Sequence, residues 1–150
     1  MTHDNLSAST APLQVLVDAD NVFPARVQPV VDAIAARANQ EPLRPITLVG
    51  SGHPRAMARV RWPEPGPMFD VRLIEAVGWQ RADVVLAEQY SPESGRLLLV
   101  TGDGDFALLA ERHDGPVLVV SASPSGRLRQ VAAVLDPAVD GVGSLGAWLA

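Results

Sequence analysis

Short apolar runs that stop at small or acidic residues recur along this chain. The most distinct is Leu97-Leu98-Leu99-Val100, which runs into Thr101-Gly102-Asp103-Gly104-Asp105-Phe106. A continuous apolar run this short, bounded by glycine, reads as a strand covered on both faces. The same pattern predicts strands at residues 13–17, 46–49, 68–73 and 117–120. Between them the apolar spacing becomes helical. Val27, Val30, Val31 and Ile34 share one face of a helix over 24–39, with Pro24 at its start. Further helices are expected over 55–61, 82–90, 106–112 and 127–135, with a short one at 145–149. Asn21 is the residue expected to cap the first helix. Pro42 and Pro45 bracket a turn, and Pro63, Pro65 and Pro67 a turn-rich connection.

Strands that alternate with helices, and that are nearly continuous apolar runs, predict βαβ units. The expected fold class is α/β: a three-layer α/β/α sandwich with a mostly parallel central sheet of about five strands, Rossmann-like in its winding. The length, 150 residues, suits one domain. We assign it to residues 13–150, after a polar lead over 1–12 expected to be disordered.

Composition narrows the chemistry. No apolar run is long enough for a transmembrane helix, and the N-terminus lacks the charged and apolar regions of a signal peptide. The expectation is a cytoplasmic protein with no membrane partner. Cysteine is absent, which excludes disulfides and thiolate metal sites. The three histidines, His3, His53 and His113, show no zinc spacing. All basic charge is arginine; without lysine there is no Schiff base, P-loop lysine or lysine general base.

Two acidic pairs end two of the expected strands. Asp18 and Asp20 follow the first strand, and Asp103 and Asp105 the fourth. Parallel strands joined by right-handed crossovers put their carboxyl ends on one edge of the sheet, where ligands of such folds bind. If the two strands are neighbours, four carboxylates converge, and Asp83 joins them from the start of a helix. Each aspartate alone has a plainer reading as a turn or cap residue; both pairs on one edge favour a site. Carboxylates this close repel, and a hard divalent cation relieves them. Mg²⁺ or Mn²⁺ there can polarise a phosphodiester and activate water. The net charge of −5 changes meaning accordingly: with these five aspartates set aside, the other 12 acidic residues equal the 12 arginines. Arg55, Arg59 and Arg61 cluster after the second strand, and Arg127 and Arg129 after the fifth. Arg55, Arg59 and Arg127, with His53, are the candidate substrate contacts, although a solvated arginine or an exposed loop histidine is the plainer alternative for each.

Four landmarks, in order, resemble the NYN domain family. Val15-Leu16-Val17-Asp18-Ala19-Asp20-Asn21 is similar to its opening hydrophobic-Asp-x-Asp/Glu-Asn motif. Gln80-Arg81-Ala82-Asp83-Val84-Val85-Leu86 is similar to its middle helix, in which an aspartate leads an apolar run. Leu99-Val100-Thr101-Gly102-Asp103-Gly104-Asp105-Phe106 resembles its Ser-Gly-Asp-Gly-Asp-Phe turn, with Thr101 in place of serine. Ser125 and Leu128 resemble its late Ser-x-x-Leu. The resemblance spans about residues 13–135. It implies a PIN-like fold and a metal-dependent ribonuclease, with Asp18, Asp83, Asp103 and Asp105 as the catalytic, metal-holding carboxylates. Asp20, Asn21, Thr101 and Ser125 would support them. The chain departs from the pattern at Gln89, where a second helix aspartate is common, and at Gln80, where lysine or asparagine is.

The expected function is therefore hydrolysis of single-stranded RNA through an aspartate-bound Mg²⁺ or Mn²⁺. RNA is the expected partner, with a homodimer left open. The alternative is an RNA-binding or protein-interaction module of the same fold with a weakened site. A third reading starts from Asp18-Ala19-Asp20, which also looks like the opening of a haloacid-dehalogenase-type phosphatase. That chemistry normally uses a lysine to hold the phosphoryl group, and the chain has none.

Overall fold

A computed structural model describes residues 11–40, 44–77, 81–93 and 95–150. Most of the expected N-terminal lead, with His3, and also Pro42 and Gln80, lie outside the described residues. The chain is α/β. Its sheet has six parallel strands: β1 (Leu13–Asp18), β2 (Ile46–Gly52), β3 (Phe69–Glu75), β4 (Arg96–Val100), β5 (Val117–Val120) and β6 (Ala133–Leu135). They lie in the order β3-β2-β1-β4-β5-β6. The helices are α1 (Pro24–Ala38), α2 (Pro54–Ala58), α3 (Ala82–Gln89), α4 (Ala107–Arg112), α5 (Gly126–Val131), α6 (Pro137–Asp140) and α7 (Val142–Leu149). A 3₁₀ turn, Gly104–Phe106, leads into α4.

Alternation along the strands builds two cores. Leu13, Val15, Val17, Leu98 and Val100 face the layer that contains Val27, Val30, Val31 and Ile34 of α1 and Leu145 and Leu149 of α7. Leu16, Leu97, Leu99 and Val119 face the layer that contains Leu86 of α3, Phe106, Ala107 and Ala110 at α4, and Leu128 of α5. A sheet covered on both sides has no polar face, which is why β4 and β5 read as unbroken apolar runs.

Three expectations are corrected. The helix expected over 127–135 stops at Val131, because Ala132 is extended (φ −149°, ψ 155°). Residues 133–135 then pair with β5 as a sixth strand, and Leu135 becomes buried. Val131 and Val134 are β-branched and suit this change. Asn21 does not cap α1; Phe23 occupies that position, and Asn21 bonds elsewhere. The third strand starts after Met68, whose φ of 61° breaks the extended run, and continues to Glu75. No helix among the described residues is long and apolar enough to cross a membrane.

At the amino-terminal edge of the sheet, the turns before β4 and β5 pack main chain against main chain. Gly95 and Gly115 have φ of 139° and 143°. A Cβ on Gly115 would stand 2.1 Å from the Gly95 carbonyl oxygen. Gly115→Ala should therefore lower thermal stability by about 3 kcal/mol or more, from strain plus a backbone clash. Gly126→Ala, with nothing within 4 Å of the new Cβ, should be neutral or mildly stabilising in the same unfolding measurement. Equal losses in both variants would contradict this account of the edge.

Candidate metal centre

The pairing of β1 with β4 sets the geometry. Val17 lies opposite Val100, so the next residues, Asp18 and Thr101, meet where the two strands end. The Thr101 hydroxyl donates to Asp18 Oδ2 at 3.2 Å and accepts the Asp103 N–H at 3.1 Å. One side chain thus fixes the Asp18 carboxylate at the end of β1 and the main chain of Asp103 after β4. Asn21 Oδ1 accepts the Gly102 N–H at 2.6 Å, tying the loop after β1 to the loop after β4. Asp20 Oδ1 accepts the His53 N–H at 2.8 Å, tying the first loop to β2 as well. Asp20 and Asn21 are thereby both used in cross-loop bonds.

Asp83, Asp103 and Asp105 form a group in which one carboxylate oxygen from each lies within 4.8 Å of the others. Asp83 comes from the first turn of α3. Asp103 faces two ways: its Oδ1 accepts the Asp105 N–H at 3.0 Å and caps the 3₁₀ turn, while its Oδ2 faces Arg81. The capping role and the site role are therefore split between its two oxygens. Gly102 and Gly104 are pressed against the loop after β5. A Cβ on Gly102 would lie 2.8 Å from Ser121 Oγ, and one on Gly104 2.9 Å from Ser125 Oγ. Ser125 also caps α5 by accepting the Leu128 N–H at 3.2 Å.

Asp18 is the buried member, at 3% exposure. It is not one of the three whose oxygens converge, but it lines the same cavity of about 210 Å³ with Asp20, Asn21, Arg81, Ala82, Asp83 and Asp103. Its Oδ1 is buried and has no hydrogen-bond partner among the described residues. Burial raises its pKa from 3.8 to about 6; the Thr101 hydroxyl and, less strongly, the nearby Asp20 and Asn21 N–H groups oppose the rise, and the charge of Asp20 adds to it. An orphaned buried carboxylate oxygen calls for a proton or a cation. Three carboxylate oxygens within one ion's span, beside that orphan, form an all-oxygen donor set suited to Mg²⁺ or Mn²⁺.

The other candidates are placed as follows. His53 is exposed, and its Nδ1 accepts the Arg55 N–H at 3.1 Å, so it caps α2. Arg55 on α2 and Arg59, its C-cap, are exposed and do not line the cavity. Arg127 is exposed on α5 with its Cδ against Gly104, beside the acidic turn. Gln89, at the far end of α3, lines a different cavity at the amino edge of the sheet with Gln14, Ser91 and Arg96. It is therefore not a wall of the acidic site. Arg81 goes unnoticed in the sequence reading. Its Nη2 lies 3.2 Å from Asp83, 3.8 Å from Asp103 and 3.9 Å from Asp105. Its place two residues before Asp83, at the head of an apolar helix, is the available signal.

This strand order is also that of dinucleotide-binding sheets, which place a glycine-rich phosphate loop after β1. Here that position carries Asp18-Ala19-Asp20-Asn21, whose charge would repel a pyrophosphate. No family model, curated protein or solved structure matches the chain.

The raised pKa of Asp18 makes a stability prediction for protein kept free of divalent ions. A carboxyl whose folded pKa exceeds its unfolded value contributes stability below about pH 4 and loses it as pH rises through about 6. Asp18→Asn removes that loss. It should stabilise the protein at pH 7.5 by on the order of 2–3 kcal/mol, with the advantage gone by about pH 4. Denaturant unfolding at the two pH values measures it. An Asn variant less stable at pH 7.5 would contradict the buried, uncompensated charge.

Proposed function

We propose that this chain is a metal-dependent nuclease that hydrolyses phosphodiester bonds of single-stranded RNA. The observation that carries the reading is the acidic cavity at the ends of β1 and β4, with the orphaned Asp18 Oδ1 beside the Asp83–Asp103–Asp105 group. The acidic geometry supports metal-assisted phosphodiester chemistry. The choice of RNA rests on the motif resemblance to the NYN family.

Asp83, Asp103 and Asp105 would hold the ion, and Thr101 turns Asp18 so that one oxygen is left for it or for its water shell. A bound Mg²⁺ or Mn²⁺ would supply polarisation of a phosphoryl oxygen and a water of lowered pKa. The chain's own part is positioning. The Asn21–Gly102 bond holds the loops after β1 and β4 together, and the Asp20–His53 bond ties the loop after β1 to that after β2. Arg55 and Arg127, exposed on helices that start at this edge, and Arg59, exposed just past α2, would meet phosphates without reading bases. The non-cleaving RNA-binding alternative is favoured by one observation, the Arg81 guanidinium set against the three carboxylates.

A cleavage assay on labelled RNA and DNA, with EDTA, Mg²⁺ and Mn²⁺ in parallel, tests the reading. RNA should be cut with either metal and spared in EDTA. Asp103→Asn retains an acceptor for the Asp105 N–H, so the turn should stay capped. Cleavage should nevertheless fall by about two orders of magnitude. Wild-type activity in that variant would remove Asp103 from the site. RNA bound but uncut in both metals would favour the alternative.

A further inference from the structure

Among the described residues, Arg81 makes its ion pairs with the three carboxylates that converge, each through the same nitrogen, Nη2. A divalent ion coordinated by those oxygens and a guanidinium at these distances would repel each other strongly, so the two cannot occupy the position together. We infer that Arg81 is a tethered counter-cation of the Asp83–Asp103–Asp105 group, displaced when a divalent ion binds, and that it sets the metal affinity of the site. The inference rests on the metal-site reading proposed above and assigns Arg81 a part in it.

The local structure fits a group that can leave. Arg81 precedes α3 with an extended backbone (φ −108°, ψ 144°), and its carbonyl accepts the Val84 and Val85 N–H groups, both at 3.1 Å. The helix start is thus held by the main chain, and the side chain has no capping bond to break. The side chain is 67% exposed, and ion pairs this exposed stabilise little. Asp18 supplies the second observation. Asp18 lines the cavity with Asp83, Asp103 and Arg81, its buried Oδ1 has no hydrogen-bond partner among the described residues, and it makes no ion pair with Arg81. Arg81 therefore neutralises the outer carboxylates and leaves the inner one unsatisfied. Once displaced, the guanidinium stays tethered at the rim, where it can pair with a phosphate oxygen.

Titration of metal-stripped protein with Mn²⁺, read by calorimetry and by the resonance of free Mn²⁺, tests this without recourse to activity. Arg81→Gln should bind Mn²⁺ about tenfold more tightly than wild type. Arg81→Lys, which keeps the charge, should stay close to wild type. Arg37→Gln, which makes the same change in net charge at the opposite end of α1, should also match wild type. Equal affinity in Arg81→Gln and wild type overturns the role of Arg81 while leaving the metal reading intact. A gain in Arg37→Gln as large as in Arg81→Gln overturns it in favour of bulk charge. No Mn²⁺ binding to any of the four proteins overturns both readings.

Discussion

The parallel pairing of β1 with β4 is the constraint on which the site depends. These strands are far apart in the chain and adjacent in the sheet, because the chain winds outward from β1 through β2 to β3 and then returns to β1's other side. Loops that follow neighbouring strands wound in opposite directions part company, and a crevice opens between them. Asp18 and Thr101 face each other there because Val17 and Val100 are in register. A slip of one residue would reverse every side chain and dismantle both the core and the acidic group. Packing and chemistry therefore share one cause.

That crevice is electrostatically expensive. Asp18 is buried without a full set of donors, and three more carboxylates stand at its mouth. The loops are held by bonds that do not use the converging oxygens: Asn21 to Gly102, Asp20 to His53, and Thr101 to both Asp18 and Asp103. Such a frame keeps like charges close in spite of their repulsion. Arg81 relieves part of it from the rim. The arrangement trades stability for a concentrated negative field, as binding sites for hard cations do.

The fold was legible because its signals are redundant. Leu97–Val100 and Val117–Val120 can be little other than covered strands, and Val27, Val30, Val31 and Ile34 mark one helical face. The edge strand β6 was hidden because Val131-Ala132-Ala133-Val134-Leu135 is apolar at both helical and extended spacings; pairing with β5, not local preference, decides it. The convergence of Asp83 with Asp103 and Asp105 was readable from topology, since helix starts and strand ends share an edge. The finer division was not. Sequence could not separate Asp18, buried behind Thr101, from the three at the mouth, nor assign Asn21 to Gly102 instead of α1. Arg81 escaped because its role lies in a side-chain direction, which no spacing encodes. Gln89 carries weight in a motif and little in space, because two turns of helix put it at the sheet's other edge.

The most direct test of the central claim is a crystal structure of the protein soaked in Mn²⁺, with anomalous scattering recorded at the manganese edge. The account predicts one strong anomalous peak at the ends of β1 and β4, within bonding distance of oxygens from Asp83, Asp103 and Asp105, on the side facing Asp18 Oδ1, with Arg81 turned away. A peak elsewhere on the surface, or the Arg81 guanidinium still seated against the three carboxylates at saturating Mn²⁺, would contradict it.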